Sequence, residues 1–383
     1  MADWTKPFEA SYTWWRVDRA SYTYWIAYDN IGDPHARGME VEQIPNITSA
    51  TLQLNDSTET FETGLAHCVG PLDVGNDLVR CHLVARFEDG TVEDVPLGTY
   101  DVSVPSRDVH GSYEECSAIL DGRLIELQQD AFENPQTVPK GNTVGYYMKI
   151  WLRSRGITFS DNEPSTSTAI AAGRDYTFGL GVEGDDGGTV LSAYNALSTD
   201  VVGLRAAKTD PYGRVIFQDP IDYDGIPVWT FAEGLNATFL TDATDEFDTS
   251  GVCNIVVCIY ETGDATTVGT AEDTDPLSPW SIANYGRRKC AVYTYNDEPK
   301  GSTQAEKQAT ADAKAAQLLD ENRSVVRRVT IRHIYCPARV GDVVEVRYPS
   351  AGISGKFAIR TQTIEVGSAG CMTTSELRRF ERA

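Results

Sequence analysis

From residue 10 to about 120, apolar and polar residues alternate in short runs, and turn residues break the runs roughly every 8 to 12 positions, as in consecutive antiparallel strands. Ser11-Tyr12-Thr13-Trp14-Trp15 and Ser21-Tyr22-Thr23-Tyr24-Trp25 nearly repeat one another. On extended backbone Tyr12 and Trp14 share a parity, as do Tyr22 and Tyr24, so each strand offers one aromatic face. Strands are also predicted around 51–54, 78–87, 92–100 and 117–120, with Glu88-Asp89-Gly90 turning the chain between the second and third of these.

The period changes near Leu124. Val144, Tyr147, Met148, Trp151 and Leu152 stand at i, i+3, i+4, i+7 and i+8, behind an Asn142-Thr143 cap and ahead of Gly156. They predict an amphipathic helix closed by a glycine just past its last turn. A shorter helix is predicted over 190–197, capped by Thr189. After it, 201–208 and 214–218 form a hairpin closed by Asp210-Pro211-Tyr212-Gly213.

Strand texture resumes near Trp229. Residues 253–260 are apolar enough for a strand buried on both faces, and the odd separation of Cys253 and Cys258 predicts that they point to opposite sides. The acidic, Thr/Gly-rich stretch 261–279 reads as a loop. Thr303-Gln304-Ala305-Glu306 is a capping box opening an Ala-rich helix to Asn322, with Ala305, Ala309, Ala316 and Leu319 as a thin apolar stripe. Alternation returns over 325–335, 342–348 and 356–366. The fold class expected is β-rich α+β. A first antiparallel β-barrel-like domain spans 1–122 and a small α/β module 123–228. A second β-barrel-like domain spans 229–383 and includes the helix 303–322 ahead of its last strands.

Composition narrows the function. The 383 residues are 41% apolar and 23% charged, a globular balance, but Lys+Arg 33 against Asp+Glu 56 leaves a net charge of −23. Such a surface repels phosphate and argues against ordinary DNA or RNA binding. No run approaches the roughly 18 apolar residues of a membrane span. The amino terminus lacks the basic and apolar regions of a secretory signal, so the product is expected to be made and kept, at least initially, in a cytoplasm. Eight cysteines without a C-x-x-C pair read as reduced, mostly buried thiols, and five scattered histidines offer no zinc spacing. No metal and no cofactor is expected.

Candidate chemistry is sparse. Gly179-Leu180-Gly181-Val182-Glu183-Gly184 matches a dinucleotide fingerprint in form, yet Glu183, Asp185 and Asp186 would repel a pyrophosphate, and an acidic loop is the better reading. Asp242, Asp245, Glu246 and Asp248 miss the EF-hand spacing and read as a solvated loop, as do Asp264, Glu272, Asp273 and Asp275. There is no G-x-S-x-G elbow, and His82 and His333 read as packed or exposed strand residues rather than bases. No catalytic residue is assigned. Tyr12, Trp14, Tyr22 and Tyr24 are candidates for barrel core or a subunit contact; stacking on sugar rings is the alternative use of such a face.

Seven short stretches occur in a telling order. They are Pro96-Leu97-Gly98-Thr99-Tyr100 with the strand that follows to Pro105; 121–130 leading to Gly141-Asn142-Thr143; Asp210-Pro211-Tyr212-Gly213-Arg214; and Cys253-Asn254-Ile255-Val256-Val257. Then come Asp275-Pro276-Leu277-Ser278-Pro279 with Tyr285-Gly286-Arg287-Arg288; the Ala-rich helix over 306–319; and Cys336-Pro337-Ala338-Arg339-Val340-Gly341-Asp342-Val343-Val344. This succession resembles the baseplate hub proteins of phage tails and related injection machines, which cap the tail tube and carry the spike or fibre.

The resemblance implies a structural protein and not an enzyme: a homotrimer whose chains each give two similar barrels, so that six barrels surround the DNA exit channel and match a six-fold tube to a three-fold tip. Implied partners are further copies of itself, the tail tube or distal tail protein, the tape-measure protein and a tip spike or fibre protein, with DNA only in transit and no membrane insertion. The implied location is the virion tail tip, after assembly in the host cytoplasm. Acids lining the channel would let DNA slide without sticking. The rival reading is a carbohydrate-binding or carbohydrate-cleaving β protein acting on host surface glycans.

Overall fold

The computed structural model describes residues 2–19, 40–160, 170–179, 188–248, 252–262, 265–295, 299, 303–322, 325–368 and 370–381. Tyr22, Tyr24, Asp264 and most of the glycine-rich stretch after Gly179 lie outside the described residues. The chain forms two compact units, Met1–Thr241 with Ile331–Glu376, and Asp242–Thr330 with Leu377–Ala383.

The amino-terminal strands of the first unit are β1 (Phe8–Val17), β2 (Glu40–Gln43), β3 (Ile47–Asn55), β4 (Glu62–Val69), β5 (Leu78–Phe87), β6 (Val92–His110) and β7 (Tyr113–Gly122). They lie in the order β3-β4-β7-β6-β5-β1-β2, every pair antiparallel. Alternation produces this set: Leu52, Leu54, Leu78, Leu83, Leu97, Ala118 and Leu120 are all buried. The turn between β5 and β6 closes as its sequence requires, with Gly90 at φ 83° and Asp89 Oδ1 accepting from the Thr91 N–H at 2.9 Å. In β6 the residue at 98 must be glycine, because a Cβ there would lie 2.2 Å from the hydroxyl oxygen of the buried Tyr100.

Next come α1 (Ile125–Gln128), β8 (Gln136–Val138), α2 (Val144–Ser154), β9 (Tyr176–Phe178) paired with β8, and α3 (Val190–Ala196), which runs on into a π-helical turn over Leu197–Val202. A hairpin of β10 (Lys208–Thr209) and β11 (Val215–Ile216) completes the module. The α2 stripe buries Val144, Met148, Trp151 and Leu152, and Trp151 meets Phe132 and Phe178. The helix stops where predicted: Gly156 has φ 70°, its N–H donates to Arg153 O, and the Ile157 N–H reaches back to Leu152 O, a Schellman closure. Thr189 caps α3 by accepting from the Ser192 N–H at 3.1 Å.

The remaining elements are β12 (Trp229–Ala232), β13 (Phe239–Asp248), β14 (Ile255–Thr262), β15 (Ala265–Glu272), α4 (Ile282–Tyr285), β16 (Cys290–Tyr295), α5 (Gln304–Asn322), β17 (Val325–Ile334), β18 (Val343–Tyr348), β19 (Ile353–Val366) and β20 (Met372–Glu381). Strands from the segments 1–122 and 229–383 share one 13-stranded sheet, joined where β19 pairs with β3 from Thr361↔Asn55 to Val366↔Ala50. The molecule is β-rich and mostly antiparallel, with β12–β18 a parallel exception. Two strands escape the apolar pattern. In β4 the inward row is Glu62, Gly64, Ala66 and Cys68, and in β20 it includes the buried Thr373 and Ser375. Small or hydrogen-bonded residues fill those places, so hydropathy does not mark them.

The second unit contains the sheet β15-β14-β16, antiparallel on one side of β14 and parallel on the other. Helix α5 packs on one face through Ala311, Ala315 and Leu319 against Val256, Cys258 and Tyr260. Five expectations are corrected here. Residues 265–272 of the expected loop form β15. Only one face of β14 is deeply buried along its length; on the other Ile255 is buried but Val257 and Ile259 are half-buried. Cys253 precedes the strand, so its parity with Cys258 does not apply and both join one cluster. Of the expected helix stripe only Leu319 is buried, because Gly269 in β15 lets the α5 backbone at Ala311 approach so closely that it sets the helix's rotation. The acids at 242–248 also lie in a strand rather than a loop: Asp245 takes two bonds from Arg327, at 2.9 and 2.8 Å, and Glu246 pairs with Arg328 at 3.5 Å. The capping box of α5 forms in both directions between Thr303 and Glu306.

A Cβ at 269 would fall 2.2 Å from the carbonyl of Ala311. Gly269→Ala is therefore expected to displace α5 and cost about 1–3 kcal/mol in urea unfolding. Unchanged stability would place the helix elsewhere.

Candidate functional site

The densest chemistry of the first unit is a set of charged side chains buried between the sheet and the hairpin that carries Asp210. That hairpin is held by its own sequence. Asp210 Oδ1 accepts from the N–H groups of Tyr212 and Arg214 at 3.0 and 2.9 Å, its other oxygen takes the Arg214 Nε–H at 2.7 Å, and Gly213 supplies φ 76°. Gly213 also lets Arg123 lie against the turn, since a Cβ there would sit 2.7 Å from Arg123 Cγ.

Two residues before the turn, Lys208 pairs with Asp56 in the β3–β4 connection. Asp56 also takes Arg205 at 2.7 Å and Arg360 of β19 at 2.8 Å. Burial alone would raise the Asp56 pKa, but three cations outweigh it and hold the carboxyl below its ordinary range. The same connection places Phe61 at φ 62°, a strained value for an aromatic residue, with its ring under the Lys208 ammonium at 4.7 Å. Next to it Glu62 is fully buried and receives Arg339 at 3.1 Å. Here burial wins over the attraction of Arg339, and the carboxyl is pushed up to about 8.

A second chain of contacts runs across the sheet. His82 has Nδ1 2.7 Å from Asp94 and Nε2 2.9 Å from Glu40, and Glu40 also takes Arg80 at 3.0 Å. Arg80 donates through Nε to Thr99 Oγ1 at 2.8 Å, and Thr99 donates to the carbonyl of Pro211 at 2.9 Å. The guanidinium lies over the Tyr212 ring at 5.0 Å. His82 and Arg80 are 1% and 0% exposed and fix the hairpin to the sheet, while Asp94 is the member of the group that reaches the surface. His333 is likewise buried, with Nε2 2.8 Å from Ser375 Oγ, and burial pushes its pKa down to about 4. Among the described residues no group of three His, Cys, Asp or Glu could hold a metal ion. Seven cysteines are buried and Cys290 is exposed.

Trp14 is 3% exposed, and Tyr12, on the same face of β1, donates its hydroxyl to the Gly370 carbonyl at 3.1 Å. The Trp14 ring is buried, and that of Tyr12 is half-buried. Sequence reasoning singled out the Asp210 turn and the Arg339–Asp342 stretch but missed Asp56, Glu62 and Arg205, because lone charges in strands and loops carry no spacing signal.

Two outcomes follow from the ion pairs. Asp56→Asn leaves three cations around a neutral amide and is expected to cost about 3–5 kcal/mol in urea unfolding at pH 7. Glu62 keeps its proton in the folded state well above the ordinary 4.5, whereas the unfolded chain releases it. Folding stability should therefore fall as pH rises from about 4.5 toward 8, and Glu62→Gln should flatten that slope in thermal melts. A slope unchanged by the substitution would contradict the assignment.

No protein-family model matches the sequence, and no curated protein matches it. Solved structures do. A tail protein from Neisseria meningitidis MC58 superposes with a TM-score of 0.61 at 15% identity, over 96% of this chain and 97% of that one. The 43 kDa tail protein of prophage MuSo2 from Shewanella oneidensis gives 0.59 at 10% identity, over 88% and 95%. The half-lidded PdpA–VgrG complex from Francisella gives 0.53 at 8% identity, over 97% of this chain and 58% of that one. The fold of this chain, nearly end to end, is that of phage tail proteins.

Proposed function

We propose that this chain is the structural hub of a phage tail tip, a homotrimeric ring that joins the six-fold tail tube to a three-fold tip and surrounds the DNA exit channel. The observation that supports the reading is the end-to-end likeness to the Neisseria tail protein, which covers 96% of this chain. The PdpA–VgrG complex from Francisella shares the fold over 97% of this chain.

The chemistry of the first unit agrees with a mechanical role. Buried Asp56 is paired with Arg205, Lys208 and Arg360, and among the described residues the buried His82 contacts Glu40 and Asp94 and the buried His333 contacts Ser375. We propose no catalytic step. The partners follow from position at a tail tip: the tail tube or distal tail protein and the tape-measure protein on one side, the spike or fibre protein on the other. The net charge of −23 would keep DNA in transit from adhering to a channel wall. A glycan-binding reading would need an exposed aromatic face; of the candidates among the described residues, Trp14 is buried and Tyr12 half-buried.

Sedimentation of the purified chain is expected to give a mass of three times 42.0 kDa. A strictly monomeric chain at every concentration would overturn the trimeric ring. The protein should also fail to retard duplex DNA even at low salt, and tight, salt-sensitive retention would contradict the non-adhesive wall.

A further inference from the structure

The stretch between β15 and β16 has no part in the function proposed above, yet its geometry is fixed at almost every residue. Asp273, 3% exposed, accepts from Ser278 Oγ at 2.6 Å and from the Asp275 N–H at 3.1 Å. Asp275 in turn accepts from the Leu277 N–H at 2.9 Å. Asn284 donates to the carbonyls of Pro276 and Ser278 at 2.9 and 2.8 Å. The buried Asn254 donates to the carbonyls of Trp280 and Arg287 at 3.1 and 2.8 Å and accepts from the Lys289 N–H at 2.8 Å.

What this lattice holds in place is an apolar knuckle, Pro276-Leu277, with Leu277 89% exposed. Ordering a loop costs backbone entropy, and within the second unit nothing is gained by presenting a leucine to water. A pre-ordered apolar knob is what an interface anchor requires, because its immobilisation is complete before the partner arrives.

The knuckle has a basic border in an acidic protein. Asn284 ties it to α4, which leads directly to Arg287-Arg288-Lys289. Arg287 is held over the Tyr285 ring at 5.0 Å and donates to the Tyr285 hydroxyl at 2.8 Å, and Arg288 reaches Glu272 at 2.7 Å. Three consecutive cations on a chain of net charge −23 complement the surface of another copy of that chain.

We propose that the Pro276-Leu277 knuckle and its Arg287-Arg288 border are a contact by which a second copy of this chain docks. Leucine and proline fill an apolar recess there, and the two arginines face that copy's carboxylates. This deepens the trimeric reading and rests on it, since it names a surface through which the trimer closes.

The test uses the full-length chain in sedimentation over a concentration series, with far-ultraviolet circular dichroism at 25 °C as the folding control. Leu277→Asp, and the milder Leu277→Ala, should keep the wild-type spectrum and weaken association by about thirty-fold or more. The salt sensitivity of wild-type association should be reduced in an Arg287→Glu, Arg288→Glu variant. A trimeric wild type whose Leu277 variants remain equally trimeric would overturn the knuckle while leaving the trimer standing. A wild type monomeric throughout would remove both. A knuckle protected from proteolysis only by a different tail component would overturn the second copy as its occupant.

Discussion

The first unit depends on Asp56. Its carboxylate is withdrawn from water and accepts three cations from three places in the chain: Arg205 ahead of the Asp210 hairpin, Lys208 within it, and Arg360 in a carboxy-terminal strand. Any one of those charges buried alone would be strongly unfavourable; together they compensate one another, provided the strand ends and the hairpin hold their relative positions. Neighbouring residues tighten the same constraint. Phe61 accepts a strained backbone because Lys208 lies over its ring, and Glu62 keeps its place through Arg339 despite complete burial.

This arrangement explains why a protein with so many carboxylates has so little visible chemistry. Acid–base partners that could serve catalysis are instead spent on each other inside the fold, as with Asp94, His82, Glu40 and Arg80. Under the hub reading proposed above, a protein with such an arrangement serves to transmit geometry. Its fold, shared with phage tail proteins across nearly its whole length, is consistent with that use.

How far the sequence revealed this depended on which interactions leave a local trace. Helix α2 was legible because its stripe, its cap position and Gly156 are all set within a few residues, and the Asp210 turn because aspartate, proline and glycine each have one role there. Strands β4 and β20 were not, since Gly64, Thr373 and Ser375 occupy core positions without hydropathy. The α5 stripe was misplaced because its rotation is decided by Gly269 on another element. Asp56 left no trace at all: its meaning comes from Arg205, Lys208 and Arg360, residues far away in the chain. The hub reading came from the order of several short motifs, two of which the structure gives a physical role. Asp210-Pro211-Tyr212-Gly213-Arg214 fixes the module to the sheet, and Asp275-Pro276-Leu277-Ser278-Pro279 builds the rigid knuckle of the second unit.

The central claim is that copies of this chain make a ring whose threefold packing meets a sixfold tube. Electron cryomicroscopy of the assembled protein tests it most directly. The account predicts three chains around an open axial channel, with two sheet-built lobes from each chain giving six at the level facing the tube. An assembly without a channel, or one in which each chain contributes a single lobe, would contradict it.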